Sequence, residues 1–270
     1  MNPSIERQWE LRPKHRLFRA AVSAVIVVLF LWSSTAVSMQ KTGMSGMTVA
    51  KNIILGILQP DMSLLLNFTT QGVPFLLLET ICIAFLGTVV GSVLSIPLSF
   101  LSASNIVPKF IAVIGRFLIM AIRTVPPLIY GLMFIRVTGP GPFAGLLTMS
   151  LSSIGMLSKM YIEAIEDLDT GILESLDAAG CTTFQKIRYG VLPQLVPNFI
   201  STILYRFDMN LRDASVLGLV GAGGIGAPLI FAMNSYRWNE AGSILLGLIV
   251  LVLLVEFLSG RIRTRLTMGQ

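Results

Sequence analysis

Six apolar stretches, each long enough to cross a lipid bilayer, constrain the fold of this chain more than any other feature. A membrane-spanning helix needs roughly 20 apolar residues, because a rise of about 1.5 Å per residue must cover about 30 Å of hydrocarbon. The first stretch carries no charge, and the second carries only Glu79, near one end. The pattern predicts an all-α polytopic membrane protein with six transmembrane helices: Ala20–Ser38, Pro74–Leu101, Phe110–Val137, Phe143–Ile162, Val196–Leu219 and Ala241–Leu258.

The composition excludes most other classes of protein. Of the 270 residues, 54% are hydrophobic and 13% are charged, whereas a soluble domain carries about 25% charged residues. A soluble enzyme, a disordered chain and a collagenous chain are therefore excluded, and two cysteines cannot form a disulfide scaffold. Because the single histidine, His15, lies in the N-terminal tail, we expect no histidine-based metal site and no Ser-His or Cys-His catalysis.

Basic residues set the expected orientation, because short cytoplasmic loops carry an excess of Lys and Arg. Both terminal tails are basic, so both are predicted to be cytoplasmic, which agrees with an even number of spans. The segment between the first two spans and the turn at 139–142 are predicted to face outward. An alternative is that the first span is a cleaved signal peptide, which would leave five spans. The net charge of +6 needs no nucleic-acid partner to explain it.

One long polar segment, residues 163–193, separates the fourth span from the fifth. It holds six of the fourteen acidic residues of the chain. Apolar residues at 172, 173, 176 and 179 are spaced for one face of a short helix, which Asp169 or Thr170 can cap and Gly180 can end. Thr182 and Gln185 fit a capping box that opens a second helix. The loop is predicted to form a helix, a glycine turn and a helix on the cytoplasmic side, with a protein groove as its partner.

Residues 163–193 resemble the cytoplasmic loop of permease subunits of bacterial ABC importers, and we call them the coupling loop from here on. That family's pattern is Glu-Ala-Ala, three residues, Gly, nine residues, Ile, any residue, Leu-Pro. Glu174, Gly180, Leu192 and Pro193 match it, whereas Ser175-Leu176 and Gly190 depart from it. The resemblance implies a coupling helix that lies in a cleft of a cytoplasmic ATPase subunit, with these expected coupling residues: Glu174, Asp177, Ala178, Ala179, Gly180, Leu192 and Pro193.

Other segments resemble the same family and its phosphonate branch. Arg123-Thr124-Val125-Pro126-Pro127 is similar to the family's Arg-Thr-x-Pro-Pro segment, and the stretch from Arg212 to Gly226 is similar to one in phosphonate permeases. The resemblance implies the type I ABC-importer permease fold and ATP-driven phosphonate uptake by alternating access. The expected organisation is a basic tail, 1–19, then the first helix with an outward loop, 20–74, and a permease core, 75–266.

The resemblance also implies the partners of the chain. It implies a second permease copy, as a homodimer or with a related chain, two cytoplasmic ABC ATPase subunits and an extracytoplasmic solute-binding protein. These would assemble in a bacterial cytoplasmic (inner) membrane. This chain would bind no cofactor, because ATP and Mg belong to the ATPase subunits, and it would not itself be an enzyme.

Four charged residues interrupt the fifth span: Arg206, Asp208, Arg212 and Asp213. A charge at the bilayer centre costs roughly 2.5–3.5 kcal/mol on insertion scales. Asp208 and Arg212 are four residues apart, in the favourable order for a helical ion pair. One interpretation is that these charges neutralise each other and hold the span in place. The other is that Arg212, with Arg206 or Arg123, lines a path for an anion, since a guanidinium can bind phosphonate oxygens through two hydrogen bonds.

A glycine-rich segment follows the fifth span, and Gly221, Gly223 and Gly226 spell a G-x-G-x-x-G pattern. A dinucleotide site would need a preceding strand and an acidic residue about 20 positions on, and the membrane spans around it argue against that. Gly221, Gly223, Gly224 and Gly226 are instead a candidate outer gate, because glycine permits unusual backbone dihedrals. Gly87 and Gly91 are predicted to permit close helix packing, and Pro126-Pro127 to kink the third span.

Three questions stay open at the level of sequence. Phosphite, phosphate or another small solute could replace phosphonate, since specificity resides mostly in the binding protein. A polytopic enzyme acting on lipid phosphate is an alternative of another class, although it would need a positioned base or metal set. A gated channel is a third alternative, and it would not need the acidic helix–glycine–helix loop.

Overall fold

The computed structural model describes residues 16–36 and 46–268, and the chain divides into two compact units between Val49 and Ala50. In the first unit, helix α1 covers Arg16–Ala36. Helix α2, Gly46–Leu58, crosses the boundary. The second unit continues with these elements: α3 Met62–Leu65, α4 Val73–Phe100, α5 Lys109–Thr124, α6 Pro127–Thr138, α7 Pro142–Glu166, α8 Thr170–Ala178, α9 Thr183–Lys186, a π-helical segment Ile187–Val191, α10 Leu192–Gly218, α11 Gly226–Asn234 and α12 Trp238–Met268. The described residues contain no strand, so the predicted all-α fold is confirmed.

Within the described ranges, each predicted span lies on a helix or on the α5–α6 pair, and residues 37 and 38, at the end of the first predicted span, lie outside those ranges. By length and apolarity alone, three helices in the described ranges qualify as membrane spans: α1 over Leu17–Thr35, α4, and α12 over Trp238–Arg265. The α5–α6 pair qualifies as a fourth, broken span. Helices α7 and α10 do not qualify because serines and glycines dilute the apolarity of α7 and four charges interrupt α10. The number six therefore stays a prediction.

The predicted kink at Pro126-Pro127 is confirmed, because α5 and α6 meet at an angle of 82°. Pro126 caps the N-terminus of α6 and Pro127 occupies its first turn, where a proline ring is tolerated but cannot continue α5. The hydroxyl of Tyr130 donates to the carbonyl oxygen of Ile122 across the break, at 3.0 Å. This bond satisfies a carbonyl near the end of α5 that has lost its helical partner.

The tightest helix packing joins α4 to α7, and small residues make it possible. A Cβ atom at Gly91 would lie 2.5 Å from Cβ of Ser153 and 2.9 Å from the carbonyl oxygen of Ser150. Gly87, one turn earlier, faces Met149 in the same way. The prediction that these two glycines permit close packing is confirmed, and the structure identifies α7 as the partner helix. Helix α7 also packs on α5, α6 and α10, which makes it the centre of the bundle.

The coupling-loop end of the bundle is fastened by Glu166, the last residue of α7. Its carboxylate accepts hydrogen bonds from the backbone N–H of Ser104, at 2.7 Å, and from the Ser104 hydroxyl, at 2.5 Å. It also pairs with Arg116 of α5. Partial burial raises the pKa of Glu166, but the hydrogen bonds from Ser104 and the charge of Arg116 outweigh it and hold that pKa below its usual value. These contacts join α5 and the α4–α5 connection to the end of α7.

We predict that Gly91→Leu destabilises the bundle, because the added side chain must displace the backbone of α7. Overpacking of this kind costs about 1–3 kcal/mol. Thermal unfolding of the purified protein in detergent, followed by circular dichroism, measures the effect. Gly260→Leu is the control, since nothing lies within 4 Å of a Cβ at Gly260. An equal loss in both variants would contradict the assigned packing.

We predict that Glu166→Gln lowers the free energy of unfolding at neutral pH by on the order of 1 kcal/mol, and with it the unfolding temperature, because it weakens a charged hydrogen-bond cluster. The folded pKa is depressed, so this stabilisation is present above the unfolded pKa and is lost as pH falls through the folded value. The difference in unfolding temperature between wild type and variant should therefore disappear at acidic pH. Glu163→Gln is the control, since its exposed pair with Lys159 contributes only about 0.3–0.5 kcal/mol. A gap that stays constant with pH would refute the role of the charge.

Candidate functional site

The first half of the coupling loop forms helix α8. The Asp169 side chain caps it by accepting the N–H of Gly171 at 2.9 Å. At its other end Gly180 has φ of +74°, which favours glycine, and the N–H of Cys181 donates to the carbonyl oxygen of Leu176 at 3.0 Å. This 6→1 bond is the Schellman motif of a helix C-terminus. The predicted helix and glycine turn are confirmed.

The second half of the loop opens with the predicted capping box. The backbone N–H of Thr182 donates to the Gln185 side chain at 2.8 Å, and the N–H of Gln185 returns to the Thr182 hydroxyl at 3.4 Å. Lys186 pairs with Asp177 across the glycine turn, at 2.5 Å. From Thr183 the chain runs through α9 and the π-helical segment into α10 without a break. Helix α8 is therefore held in a fixed relation to the start of α10.

The expected coupling residues are exposed. Glu174, Asp177, Ala178, Ala179 and Gly180 lie on or just after α8, and Leu192 and Pro193 begin α10. Several apolar side chains of the same loop are also exposed, because no described residue of the second unit packs over them: Ile172, Phe184, Ile187 and Tyr189. Phe184 and Tyr189 keep more than 60% of their surface. A group of exposed apolar side chains of this kind marks an interaction site, with a protein partner or with the membrane surface.

A polar network crosses the middle of the bundle and contains Arg206. The guanidinium, only 4% exposed, donates to the hydroxyls of Ser153 at 3.1 Å and Ser152 at 2.8 Å. Asn210, one turn further along α10, donates to Thr88 of α4 and to Ser153, both at 2.8 Å. The network therefore joins α10 to α7 and α4. The sequence analysis missed its serine partners, although the serines at 150, 152 and 153 inside an apolar span were a signal for them.

Asp208 and Arg212 lie on another side of α10 and form the predicted ion pair, at 2.6 Å. Arg212 also reaches Glu256 of α12, at 3.5 Å. These three residues, with Tyr205 and Arg263, line a cavity of about 500 Å³ between α10 and α12. The sequence analysis missed the contact between Arg212 and Glu256, because it joins residues 44 positions apart.

The three arginines of the predicted anion path are not brought together. Arg206 is enclosed by α7, Arg212 lines the α10–α12 cavity, and Arg123 lines a separate cleft between α5 and α7. Of these, Arg206 and Arg212 have polar or charged partners that satisfy the guanidinium. Within the described ranges, no group of three or more His, Cys, Asp or Glu side chains is arranged to hold a metal ion.

The glycine-rich residues 219–225, which we call the glycine segment, connect α10 to α11 at the end of the bundle opposite the coupling loop. Gly221, Gly223 and Gly224 have φ values of +96°, +82° and +74°. The N–H of Gly224 donates to the Glu79 carboxylate at 3.2 Å, and the N–H of Ile225 donates to the Thr80 hydroxyl at 3.0 Å. Gly226 begins α11 against the backbone of Ser215, where a Cβ would not fit.

These contacts explain the glycine pattern by packing. A helix, not a strand, precedes the segment, so the structural context of a dinucleotide fingerprint is absent from this part of the described chain. The segment is attached to the first turns of α4 and, through a bond from the N–H of Gly141 to the carbonyl oxygen of Gly221 at 2.9 Å, to the α6–α7 turn. Glu79 is thus a hydrogen-bond acceptor for the segment, a role that its position near a span end did not reveal.

Comparison with known proteins agrees with this arrangement. The sequence profile of the family described as binding-protein-dependent transport system inner membrane component matches residues 95–267. HtxC of Stutzerimonas stutzeri, named for a phosphite transport system permease, is 30% identical over 264 residues, which cover 97% of this chain and 91% of HtxC. A protein of Escherichia coli strain K12, named for a cryptic phosphonate transport system permease, is 42% identical over 118 residues, or 44% of this chain and 97% of its own.

The fold is also that of a solved permease. The MetNI methionine ABC transporter, determined in inward-facing conformations, contains a chain that superposes with a TM-score of 0.61 at 21% identity. The match covers 70% of this chain and 93% of that chain. The chain therefore belongs to the family of binding-protein-dependent transport system inner membrane components, as a multi-pass permease subunit of an ABC importer and not as an enzyme.

Proposed function

We propose that this permease imports phosphonates across a bacterial inner membrane, as a homodimer that works with two ATPase subunits and an extracytoplasmic solute-binding protein. The observation that carries the proposal is the exposed helix–glycine–helix loop at 163–193, combined with relatives named for phosphorus oxyanions. Membership of a family of binding-protein-dependent permeases supports the ATPase and the binding protein as partners of this chain. The homodimer follows from the presence of one coupling loop per chain, since such importers use two permease units.

The substrate class rests on what the relatives have in common. One is named for phosphite and the other for phosphonate, and both compounds are tetrahedral oxyanions of phosphorus. The phosphonate relative has the higher identity over the segment that it matches, whereas the phosphite relative matches nearly the whole chain. Phosphite is therefore the second candidate, and phosphate a third. The alternative of an enzyme acting on lipid phosphate has no support, because the relatives are permease subunits.

Helix α8 is the expected contact with the ATPase. Ile172 is 40% exposed on a nine-residue helix whose described side chains are nearly all exposed. A short amphipathic helix of this kind fits a groove on a partner protein. ATP and Mg would act on the ATPase subunits, and this chain would supply Glu174, Asp177 and the residues around Gly180 as the surface that moves with them.

The connections of α8 support a mechanical role. One end follows directly from α7, which Glu166 fastens to α5. The other end is tied to α10 through the pair of Lys186 with Asp177 and the continuous helix that follows. A displacement of α8 would therefore act on α7 and α10 together, and through them on the glycine segment at the far end. Rigid-body movement of this kind is a common basis of alternating access.

The glycine segment is the proposed outer gate. Its glycines with positive φ adopt a backbone conformation that other residues adopt only with strain. Hydrogen bonds join it to α4 at Glu79 and Thr80 and to the α6–α7 turn at Gly141. Movement of α10 would pull on it directly, because α10 ends at Gly218. Non-helical backbone at membrane depth must line a cavity or be buried in protein, which agrees with a position beside the solute path.

We predict that the reconstituted importer takes up phosphonate faster than other solutes. The permease, its cognate ATPase and binding protein are placed in proteoliposomes, and ATP-dependent uptake of radiolabelled methylphosphonate, phosphite, phosphate and methionine is compared. Methylphosphonate should exceed methionine by about tenfold or more, a difference of roughly 1.4 kcal/mol. Uptake of phosphite alone would favour the second candidate, and equal or faster uptake of methionine would refute the substrate class.

We predict that Ile172→Asp weakens association with the ATPase by on the order of tenfold or more, because a carboxylate replaces an apolar contact inside a groove. Copurification of the ATPase with the permease in detergent measures the effect. Leu66→Asp is the control, since Leu66 is 70% exposed at the opposite end of the bundle. Normal copurification of Ile172→Asp, or an equal loss in the control, would argue against α8 as the docking helix.

A further inference from the structure

A cleft between α5 and α7, distinct from the α10–α12 cavity, combines cationic and apolar walls. Its volume is about 240 Å³. Helix α5 contributes two arginines and two apolar residues, and α7 contributes a lysine, two carboxylates and an isoleucine: Arg116, Ile119, Met120 and Arg123, with Lys159, Ile162, Glu163 and Glu166. The cleft begins at the coupling-loop end of the bundle and extends toward its middle. We call it the α5–α7 cleft.

Two of the three cations in the cleft are already neutralised. Arg116 pairs with Glu166, and Lys159 pairs with Glu163 at 3.2 Å. Arg123 has neither a hydrogen bond nor an ion pair with any residue in the described part of the chain, so the cleft carries one net positive charge. Arg206 and Arg212 differ in this respect, because serine hydroxyls bind the first and carboxylates bind the second.

The position of Arg123 is built into the packing of the two helices. A Cβ atom at Gly155 of α7 would lie 2.8 Å from Cγ of Arg123, so only glycine leaves room for the arginine stem. Gly155 lies about 16 Å along α7 from Glu166, given a rise of about 1.5 Å per residue. The stem of Arg123 is thus held against α7 at a level inside the predicted fourth span, and the residue is exposed in the single chain. An unpaired guanidinium at that depth is costly and marks a functional site by default.

The cleft also has an apolar part, to which both helices contribute. Ile119 of α5 is 3% exposed and Ile162 of α7 is 6% exposed, whereas Met120 of α5 is 61% exposed and offers the most apolar surface. A ligand that fits the cleft carries an oxyanion, for the planar fork of a guanidinium, and a small organic group. An alkyl or aminoalkyl phosphonate has both parts, whereas phosphate and phosphite have only the oxyanion.

We propose that the α5–α7 cleft is a transient binding site for the transported solute, in which Arg123 holds the phosphonate oxyanion and Ile119, Met120 and Ile162 contact its organic group. The proposal rests on the proposed function. Because α7 forms one wall and leads directly into the coupling loop, a displacement of α8 would change the width of the cleft. The two carboxylates elsewhere in the cleft keep its net charge low, which favours release over tight binding.

The test uses the full complex of permease and ATPase in nanodiscs, with methylphosphonate as the probe. Broadening of its ³¹P resonance reports binding, and ATP-dependent uptake in proteoliposomes with the binding protein reports transport. Arg123→Gln should abolish the broadening and lower uptake about tenfold, Arg123→Lys should retain part of both, and Gly155→Ala should reproduce part of the loss. Arg136→Gln is the matched control, since Arg136 is an exposed arginine of α6 outside the cleft, and it should resemble wild type.

The outcomes separate the proposals. Wild-type complexes that take up no phosphorus oxyanion would refute the proposed function itself. Wild-type uptake together with unchanged binding and uptake in Arg123→Gln would refute only the assignment of the cleft. Repeating the assays in phosphatidylcholine with and without phosphatidylglycerol distinguishes a solute from a lipid headgroup. If Arg123→Gln matters only when phosphatidylglycerol is present, and native mass spectrometry shows the loss of one bound lipid, the cleft binds a headgroup and the solute site is overturned.

Discussion

The buried guanidinium of Arg206 is the constraint on which the rest of the bundle depends. A charge in the middle of an apolar helix bundle must be surrounded by polar partners, and this chain supplies them from two other helices: Ser152 and Ser153 on α7, and Thr88 on α4 by way of Asn210. Those partners fix the rotation of α10 about its axis, because a turn of the helix would leave the charge in hydrocarbon. Once α10 is fixed, its other charged face, with Asp208 and Arg212, must point to α12 and Glu256.

Close approach of α4 and α7 is the second requirement, since the serine hydroxyls can reach Arg206 and Asn210 only if the three helices nearly touch. Gly87 and Gly91 provide that approach on α4. In a bilayer the lipid tails are as apolar as the side chains, so such packing and interhelical hydrogen bonds replace the hydrophobic effect as the source of helix association. The same arrangement leaves α7 in contact with α5, where Gly155 gives space to Arg123. One central helix thus links the polar network, the coupling loop and the α5–α7 cleft.

The two ends of the bundle are built differently, in keeping with the proposed transport cycle. At the coupling-loop end, ion pairs and caps make a stiff connection, with Glu166 joined to Arg116 and Ser104, and Asp177 to Lys186. At the opposite end, the glycine segment has three left-handed residues and is attached by single hydrogen bonds to Glu79 and Thr80. Charged contacts thus hold the coupling-loop end, whereas close packing and hydrogen bonds to α4 hold the glycine segment, in which Ala222 and Ile225 are buried.

The sequence by itself determined the all-α membrane fold, the coupling loop with its glycine turn and capping box, the proline break and the Asp208–Arg212 pair. Each of these depends on residues close together in the chain, through helical periodicity, backbone dihedrals or a four-residue spacing. Tertiary structure alone decided that Arg206 is enclosed by serines of α7, that Glu256 meets Arg212 across 44 positions, and that Arg123 lines a separate cleft without a hydrogen-bond partner among the described residues. Those outcomes depend on which faces of distant helices meet, and spacing within one helix carries no information about the rotation of its neighbour.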